Sequence, residues 1–195
     1  MSTELHRREV VEALLAERRD ALVVAGLGST SWDCTAAGDS PLTFPMWGAM
    51  GVAAMLGLGL AIAQPARRVL VITGDGEMLM GLGSLATIGV QGPPNLAIAV
   101  IDNERYGETG MQPTHTAHGV DLAAVALGCS FRSARTVRTV TELEAARLAL
   151  LGDTGPVLIQ IKVLPEKLPL VLPPHEGVVL RNRFRSALLG KTAAG

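Results

Sequence analysis

The residues that could do chemistry in this chain gather at two points. The first is Gly74-Asp75-Gly76-Glu77, directly after the apolar run RVLVIT. Two glycines around an acid let the backbone approach a ligand closely and turn sharply into a helix. The start of that helix presents free N–H groups and a partial positive charge, both favourable for phosphate. Asp75 would repel phosphate unless a cation lay between them. Its chemistry here is therefore that of a Mg2+ ligand bridging protein and diphosphate. The same residues also describe an ordinary strand-end turn with a helix-capping Asp, and alone they favour that plainer reading.

The second point is Asp102-Asn103, directly after the run NLAIAVI. One helical stretch separates the two runs, so it can act as a crossover that brings both strand ends side by side. Asn103 offers a neutral amide oxygen, suited to a hard cation already facing one carboxylate and a diphosphate. Asn is also a common turn former. A third strand end carries Gly26-Leu27-Gly28-Ser29. In open α/β sheets, ligands bind at such carboxyl ends.

These points need a sheet to hold them. Residues 4–19 read as an amphipathic helix, with Leu5, Val10, Val11, Leu14 and Leu15 at helical spacing. ALVVA over 21–25 reads as a short buried strand, and 30–46 as a loop with Gly38, Pro41 and Pro45. Residues 48–63 read as a helix buried nearly all round, 68–73 as a strand, 79–90 as a second buried helix and 95–101 as a strand. Loop character dominates 103–119. Asp121 is a candidate cap for a helix over 122–127, and 131–134 for a strand. Thr141 with Glu144 reads as a capping box for a helix over 142–151. PVLIQIKV over 156–163 is the last strand, followed by a proline-rich crossing and a basic helix near 178–189. This alternation predicts an α/β three-layer sandwich with a mostly parallel sheet. One domain over 1–195 is expected, with its core about 20–163 and an extension over 164–195 that packs on the body or on a partner chain.

Composition narrows the function. Hydrophobic residues make up 48% of the 195 and charged residues 18%, the reverse of a disordered chain. A net charge of −1 removes any global pull toward nucleic acid or anionic lipid, and 3% aromatics leave no base-stacking platform. The two cysteines, Cys34 and Cys129, have neither metal-ligand spacing nor a partner pattern, which points to a reducing, cytoplasmic setting. The charged N-terminus lacks the apolar stretch of a secretory signal. Residues 40–66 carry no charge and are long enough to span a bilayer. Pro41, Pro45 and four glycines thin that stretch, so a helix buried in an α/β sandwich is expected instead.

With both strand ends read, the sequence resembles the diphosphate-binding domain of thiamine diphosphate (ThDP) enzymes. The resemblance lies in GDGEMLMGLGSLATIGVQGPPNLAIAVIDN, where Gly-Asp-Gly is followed at family spacing by Asn. MWGAMGVAAMLGLGLA resembles the segment that holds the cofactor's aminopyrimidine ring. NERYGETGMQPTHT with GSLATIG looks like the split decarboxylases: the β subunit of sulfopyruvate decarboxylase, or the matching half of phosphonopyruvate decarboxylase. The likeness covers about residues 20–163. It implies that Asp75 and Asn103, with the backbone carbonyl of Arg105, hold Mg2+. It implies that Gly74, Gly76 and Glu77 line the diphosphate, Gly76 and Glu77 through backbone N–H groups. Many relatives have Ser where Glu77 stands, so only the backbone role carries over there. Met50 would support the bend of the cofactor, and Gly48 would accept from its pyrimidine amino group. The loop from Tyr106 and Gly107 to His115 would cover the diphosphate or border the substrate.

The family also needs a carboxylic acid against the pyrimidine ring, carried on a separate pyrimidine-binding domain. No second such domain is expected here. The resemblance therefore implies a partner chain that supplies this Glu, a hetero-oligomer with a shared active site, and decarboxylation of a small 2-oxo acid. His115 is the candidate proton donor, with His118 the other histidine of that loop. Basic residues for a sulfonate or phosphonate are not identifiable. Three rivals stand beside this reading. One is an acetolactate-synthase-like carboligase subunit. Another is a catalytically silent ThDP-binding subunit, which the intact Asp75 and Asn103 argue against. The third is a nicotinamide-binding domain, disfavoured because no helix opens directly after Gly26-Leu27-Gly28.

Overall fold

The apolar runs become one parallel sheet in a computed structural model that describes residues 4–190. The first three and last five residues of the domain expected over 1–195 lie outside the described residues. So do the first three positions of the N-terminus read as lacking a signal.

Helix α1 (Arg7–Ala16) leads into β1 (Leu22–Ala25), then α2 (Ser29–Ala36), β2 (Thr43–Pro45) and α3 (Ala53–Ala63). Strand β3 (Val69–Gly74) feeds α4 (Asp75–Met80) and α5 (Ser84–Gln91), and β4 (Leu96–Asp102) follows. A two-stranded ribbon, β5 (Arg105–Tyr106) and β6 (Gln112–Pro113), precedes a 3-10 turn at His115–His118. The chain closes with α6 (Leu122–Gly128), β7 (Ser133–Val137), α7 (Val140–Gly152), β8 (Val157–Lys162) and α8 (Gly177–Leu189).

The six-stranded sheet runs β2-β1-β3-β4-β8-β7, parallel throughout. Every residue of β4 is buried, as are the first five of β3, because helices cover both faces of these central strands. One core joins Leu70 and Ile72 to α1 and α7; the other joins Val71 and Ile98 to α3, α5 and α6. Full burial of side chains such as Ile72 or Ile98 contributes roughly 1.5–3 kcal/mol each. From β1 the chain goes outward to β2, then returns to the other side of β1 as β3. Connections thus diverge between β1 and β3, which opens a crevice above their carboxyl ends.

Four expectations need correction. Residues 30–46 are not all loop. Helix α2, which opens directly after Gly26-Leu27-Gly28 where no helix was expected, and edge strand β2 lie there, and Asp33 of α2 is buried against Arg7 and Arg8 of α1, a contact no local pattern announces. Helix α3 starts at Ala53 rather than 48, because Ala49 (φ 59°) and Gly51 (φ 89°) are left-handed. The helix expected over 79–90 is two helices, broken at Gly81–Gly83, with α4 already starting at Asp75. The capping box uses Thr139 and Glu142, not Thr141 and Glu144: Glu142 N donates to Thr139 Oγ1 at 3.3 Å.

Asp121 caps α6 as expected, accepting from Ala124 N at 3.0 Å. Cys34 and Cys129 are both free. Among the described residues no helix is long and apolar enough to cross a membrane. The extension packs on the body. Residues 164–176 run as a strap past α1, with Leu164 N donating to Leu5 O and Arg8 to Pro169 O. Helix α8 then docks beside β2, where Phe184 meets Phe44 edge-on at 5.6 Å and Arg183 pairs with Asp39.

Candidate functional site

A cavity of about 430 Å³ lies over the carboxyl ends of β1, β3 and β4. Its floor is Gly74, Asp75, Gly76, Ile101 and Asn103. Leu27, Ser29 and Trp32 form one side, Met50 and Tyr106 another, and the strap residues Glu166, Lys167, Leu168 and Leu170 a third. Both motifs read from the sequence therefore meet in one place. Arg105, Tyr106, Gly107 and Glu77 also line it.

Asp75 opens α4 and is 2% exposed. Its Oδ2 accepts from Thr114 Oγ1 at 2.6 Å, and Thr116 Oγ1 lies at 3.3 Å. Burial, with the charge of Asp102 adding to it, pushes its carboxyl up to about 6, against the pull of the two hydroxyls. No ion pair reaches Asp75 among the described residues. A buried acid that meets only neutral donors, near a second acid, is suited to a cation from outside the chain.

Asp102 is fully buried at the end of β4, and its charge is answered within the chain. Lys162 Nζ stands 2.7 Å from its Oδ2, and Gln160 Nε2 donates to the same oxygen at 2.6 Å. Its Oδ1 accepts from Glu104 N at 3.0 Å and Thr116 Oγ1 at 2.8 Å. The next residue, Asn103, closes a side-chain turn: its Oδ1 accepts from Arg105 N at 2.9 Å. An amide oxygen has two lone pairs, so this bond leaves one available to a ligand. Glu104 sits at φ 60° between them, which turns the chain sharply out of β4 and aims Arg105 and Tyr106 back over the cavity.

Tyr106 covers the backbone of Gly76. A Cβ there would lie 2.7 Å from its ring and 3.7 Å from Met50 Cε. Met50 and Tyr106 thus converge over the first turn of α4, and only glycine fits beneath them. The left-handed Ala49 and Gly51 on either side of Met50 hold its loop in place ahead of α3.

Glu77 does something the sequence reading missed. Its side chain is buried and ties two strand ends together: Oε2 accepts from Leu27 N at 3.0 Å and Thr73 Oγ1 at 2.8 Å. Burial pushes its carboxyl up, and the Thr73 hydroxyl and the amides of Leu27, Ala53 and Gly51 oppose this only in part. Oε1 is buried with no hydrogen-bond partner among the described residues. A Cβ on Gly26, the residue after β1, would stand 2.1 Å from Oε2, so a side chain there would displace the Glu77 carboxylate. Glu77 is thus bound into the scaffold by its carboxylate, while its backbone stays in the first turn of α4.

Two sequence candidates stand apart. Gly48 is exposed and does not line the cavity; its neighbour Trp47 donates to Pro174 O of the strap at 2.8 Å. His115 is exposed on the 3-10 turn, outside the cavity lining. The contacts of Thr114, Thr116, Gln160 and Lys162, and the place of the strap in the cavity wall, were not anticipated. The only advance signal was the pair of threonines flanking His115 in PTHT. Lys167 of the strap brings a cation to the rim, beside Glu166, which holds His6 at 3.0 Å and accepts from Arg7 N at 3.3 Å.

Comparison with known proteins shows the family. Residues 28–161 match the family described as thiamine pyrophosphate enzyme, C-terminal TPP binding domain. Sulfopyruvate decarboxylase subunit beta of Methanothermobacter thermautotrophicus is 38% identical over 188 residues, 96% of this chain and 98% of that protein. Phosphonopyruvate decarboxylase of Streptomyces viridochromogenes is 40% identical over 182 residues; the match covers 92% of this chain but only 45% of that protein. The fold is similar to an X-ray structure described as a thiamin diphosphate-dependent enzyme from Mycobacterium smegmatis. That likeness has a TM-score of 0.70 and 25% identity, covering 84% of this chain and 32% of the other.

Proposed function

Because the chain belongs to the thiamine pyrophosphate enzymes through their C-terminal TPP-binding domain, we propose that it is the diphosphate- and Mg2+-binding subunit of a split 2-oxo acid decarboxylase. The observation that carries this is Asp75: a buried carboxylate on the cavity floor, beside Asn103, that no cation among the described residues answers. The residues fit the cofactor. Gly74, with nothing within 4 Å of its Cβ position, leaves room for a diphosphate, and the amide oxygen of Asn103 has a lone pair to give.

Bound here, ThDP supplies a carbon nucleophile and an electron sink for loss of CO2 from a 2-oxo acid. The chain's own part is to bind and orient. Asp75, Asn103 and the carbonyl of Arg105 hold Mg2+. The amides of Gly76 and Glu77 donate to the diphosphate, and Glu77 steadies them by anchoring its side chain to β1. Met50 and Tyr106 shape the wall above Gly76, and Gly107 continues it. Gly48 accepts from the pyrimidine end, outside the closed part of the cavity. The strap keeps water from one side. His115, on the exposed turn, donates a proton only in an assembly that brings substrate to it.

The acid that faces the pyrimidine comes from a partner chain with a pyrimidine-binding domain, in a soluble, cytoplasmic hetero-oligomer. Support comes from a relative of matching length that is itself named a β subunit. The substrate is a small 2-oxo acid bearing a sulfonate or phosphonate, as in the names of both relatives.

The test is calorimetry of ThDP with Mg2+ on the co-purified complex, followed by CO2 release from sulfopyruvate and from phosphonopyruvate. Tight cofactor binding and an aldehyde product from either acid support the reading. Condensation products with a second carbonyl acceptor, without aldehyde, would instead make it a carboligase.

A further inference from the structure

Two threonines connect the carboxylates at adjacent strand ends. Thr114 Oγ1 lies 2.6 Å from Asp75 Oδ2 and 2.9 Å from Thr116 Oγ1. Thr116 Oγ1 lies 2.8 Å from Asp102 Oδ1 and 3.3 Å from Asp75 Oδ2. Both residues are buried, at 1% and 4% exposure. A hydroxyl has one proton to give. The shortest contacts assign the Thr114 proton to Asp75 and the Thr116 proton to Asp102, so neither hydroxyl is spare.

The segment that carries them is anchored to the Asn103 turn. Thr114 N donates to Glu104 O at 3.0 Å, and Glu104 N donates to Asp102 Oδ1 at 3.0 Å. A displacement of Asp75 is therefore felt at Asn103 through Thr114, and through Thr116 and Asp102.

The charges are handled differently at the two acids. Lys162 neutralises Asp102, whereas among the described residues the side chains that reach Asp75 are neutral threonines, with Thr114 as the donor. Neutral donors orient a carboxylate without cancelling its charge. Both contacts fall on Oδ2, so Oδ1 accepts from neither hydroxyl.

We infer that Thr114 and Thr116 are positioning residues for a divalent cation. Thr114 holds Asp75 by one oxygen and leaves the other to the metal, Thr116 holds Asp102, and together they set the spacing between Asp75 and the Asn103 turn. The inference rests on the decarboxylase-subunit reading above, specifically on its cation site.

The experiment uses Mn2+ as probe, titrated by electron paramagnetic resonance into the full chain with its partner subunit and ThDP. Four variants are compared: Thr114→Val, Thr114→Ser, Thr116→Val and Thr116→Ser. Valine keeps the shape and loses the hydroxyl; serine does the reverse. The expected result is a loss of about 10–100-fold in Mn2+ affinity for each valine variant, with serine recovering most of it. Valine variants that bind Mn2+ like wild type overturn the inference, as do serine variants that bind as weakly as valine. Should valine prevent folding, serine decides: near-native affinity supports the inference and weak affinity overturns it. A wild-type complex that holds neither Mn2+ nor ThDP overturns the underlying functional reading as well, a result distinct from equal binding by wild type and variants.

Discussion

Asp102 and Lys162 stand opposite each other at the ends of the parallel strands β4 and β8, and Lys162 Nζ lies 2.7 Å from Asp102 Oδ2. The sheet register makes this pair, since Asp102 and Lys162 are its last matched positions. The same ammonium reaches Glu104 Oε1 at 2.7 Å and so braces the turn that carries Asn103. Burial pulls the Lys162 ammonium down, but its two carboxylate partners more than offset this and hold it above the ordinary lysine range.

Lys162→Met should leave a buried carboxylate without a counter-charge. The expected cost is about 3 kcal/mol in chemical denaturation, because breaking one side of a buried pair strands the other. Asp102→Asn added to Lys162→Met should recover part of that loss. A single variant as stable as wild type would show that Lys162 does not neutralise Asp102.

Asp75→Asn removes a buried negative charge that meets only neutral donors. The metal-free chain should melt at the same temperature as wild type or a few degrees higher, since desolvating the carboxylate is unfavourable. Binding of Mg2+ with ThDP should be lost. Paired scanning and titration calorimetry read both effects, and undiminished ThDP affinity would remove Asp75 from the cation site.

Gly81→Ala tests how the loop of Met50 is held. A Cβ at Gly81 would stand 2.0 Å from the carbonyl oxygen of Gly51. The backbone beside Met50 must then move. The expected result is a destabilisation of about 1–3 kcal/mol and weaker ThDP binding in the complex. A crystal structure of the variant with Met50 unmoved would contradict this coupling.

Met50→Ala removes the side chain above Gly76 and keeps the loop. ThDP should still bind, because the diphosphate end is intact. Exchange of the thiazolium C2 proton in the assembled enzyme, followed by NMR, should slow by at least about tenfold, a loss of roughly 1.4 kcal/mol in transition-state stabilisation. Unchanged exchange would leave Met50 a packing residue.

The strap should respond to pH. Glu166, through its hydrogen bond and charge, raises the His6 imidazole above its ordinary value, with Glu9 and Glu4 adding to it. A raised folded value means the pair's contribution is complete below the ordinary histidine range and is lost as pH rises through the folded value. Hydrogen exchange at Leu164 and Glu166, whose amides bond within and beside the strap, should therefore quicken between pH 6 and pH 8 beyond the intrinsic base-catalysed rise. His6→Ala should abolish that extra slope.

The strands and the two motifs were legible in the sequence because each is a local pattern. Runs such as VLVITG and LAIAVID are apolar throughout, as central parallel strands must be, and glycines around Asp75 announce a close backbone approach. Helix α2 was not legible. Its residues, STSWDCTA, are weak helix formers, and Arg7 and Arg8 hold its Asp33 from another helix. The start of α3 was missed for a related reason: left-handed angles at Ala49 and Gly51 belong to a loop pressed against Met80 and Gly81.

The sequence by itself determined the alternation of elements, the strand ends that carry Asp75 and Asn103, and the motif that marks the family. Tertiary structure alone decided how those strand ends are joined and charged. The partners there, Thr114, Thr116, Gln160 and Lys162, come from later segments, and Glu77 reaches back to Leu27. Sequence spacing carries no information about such meetings, because the register of β4 against β8 and the fold of the 103–119 loop bring them together in space.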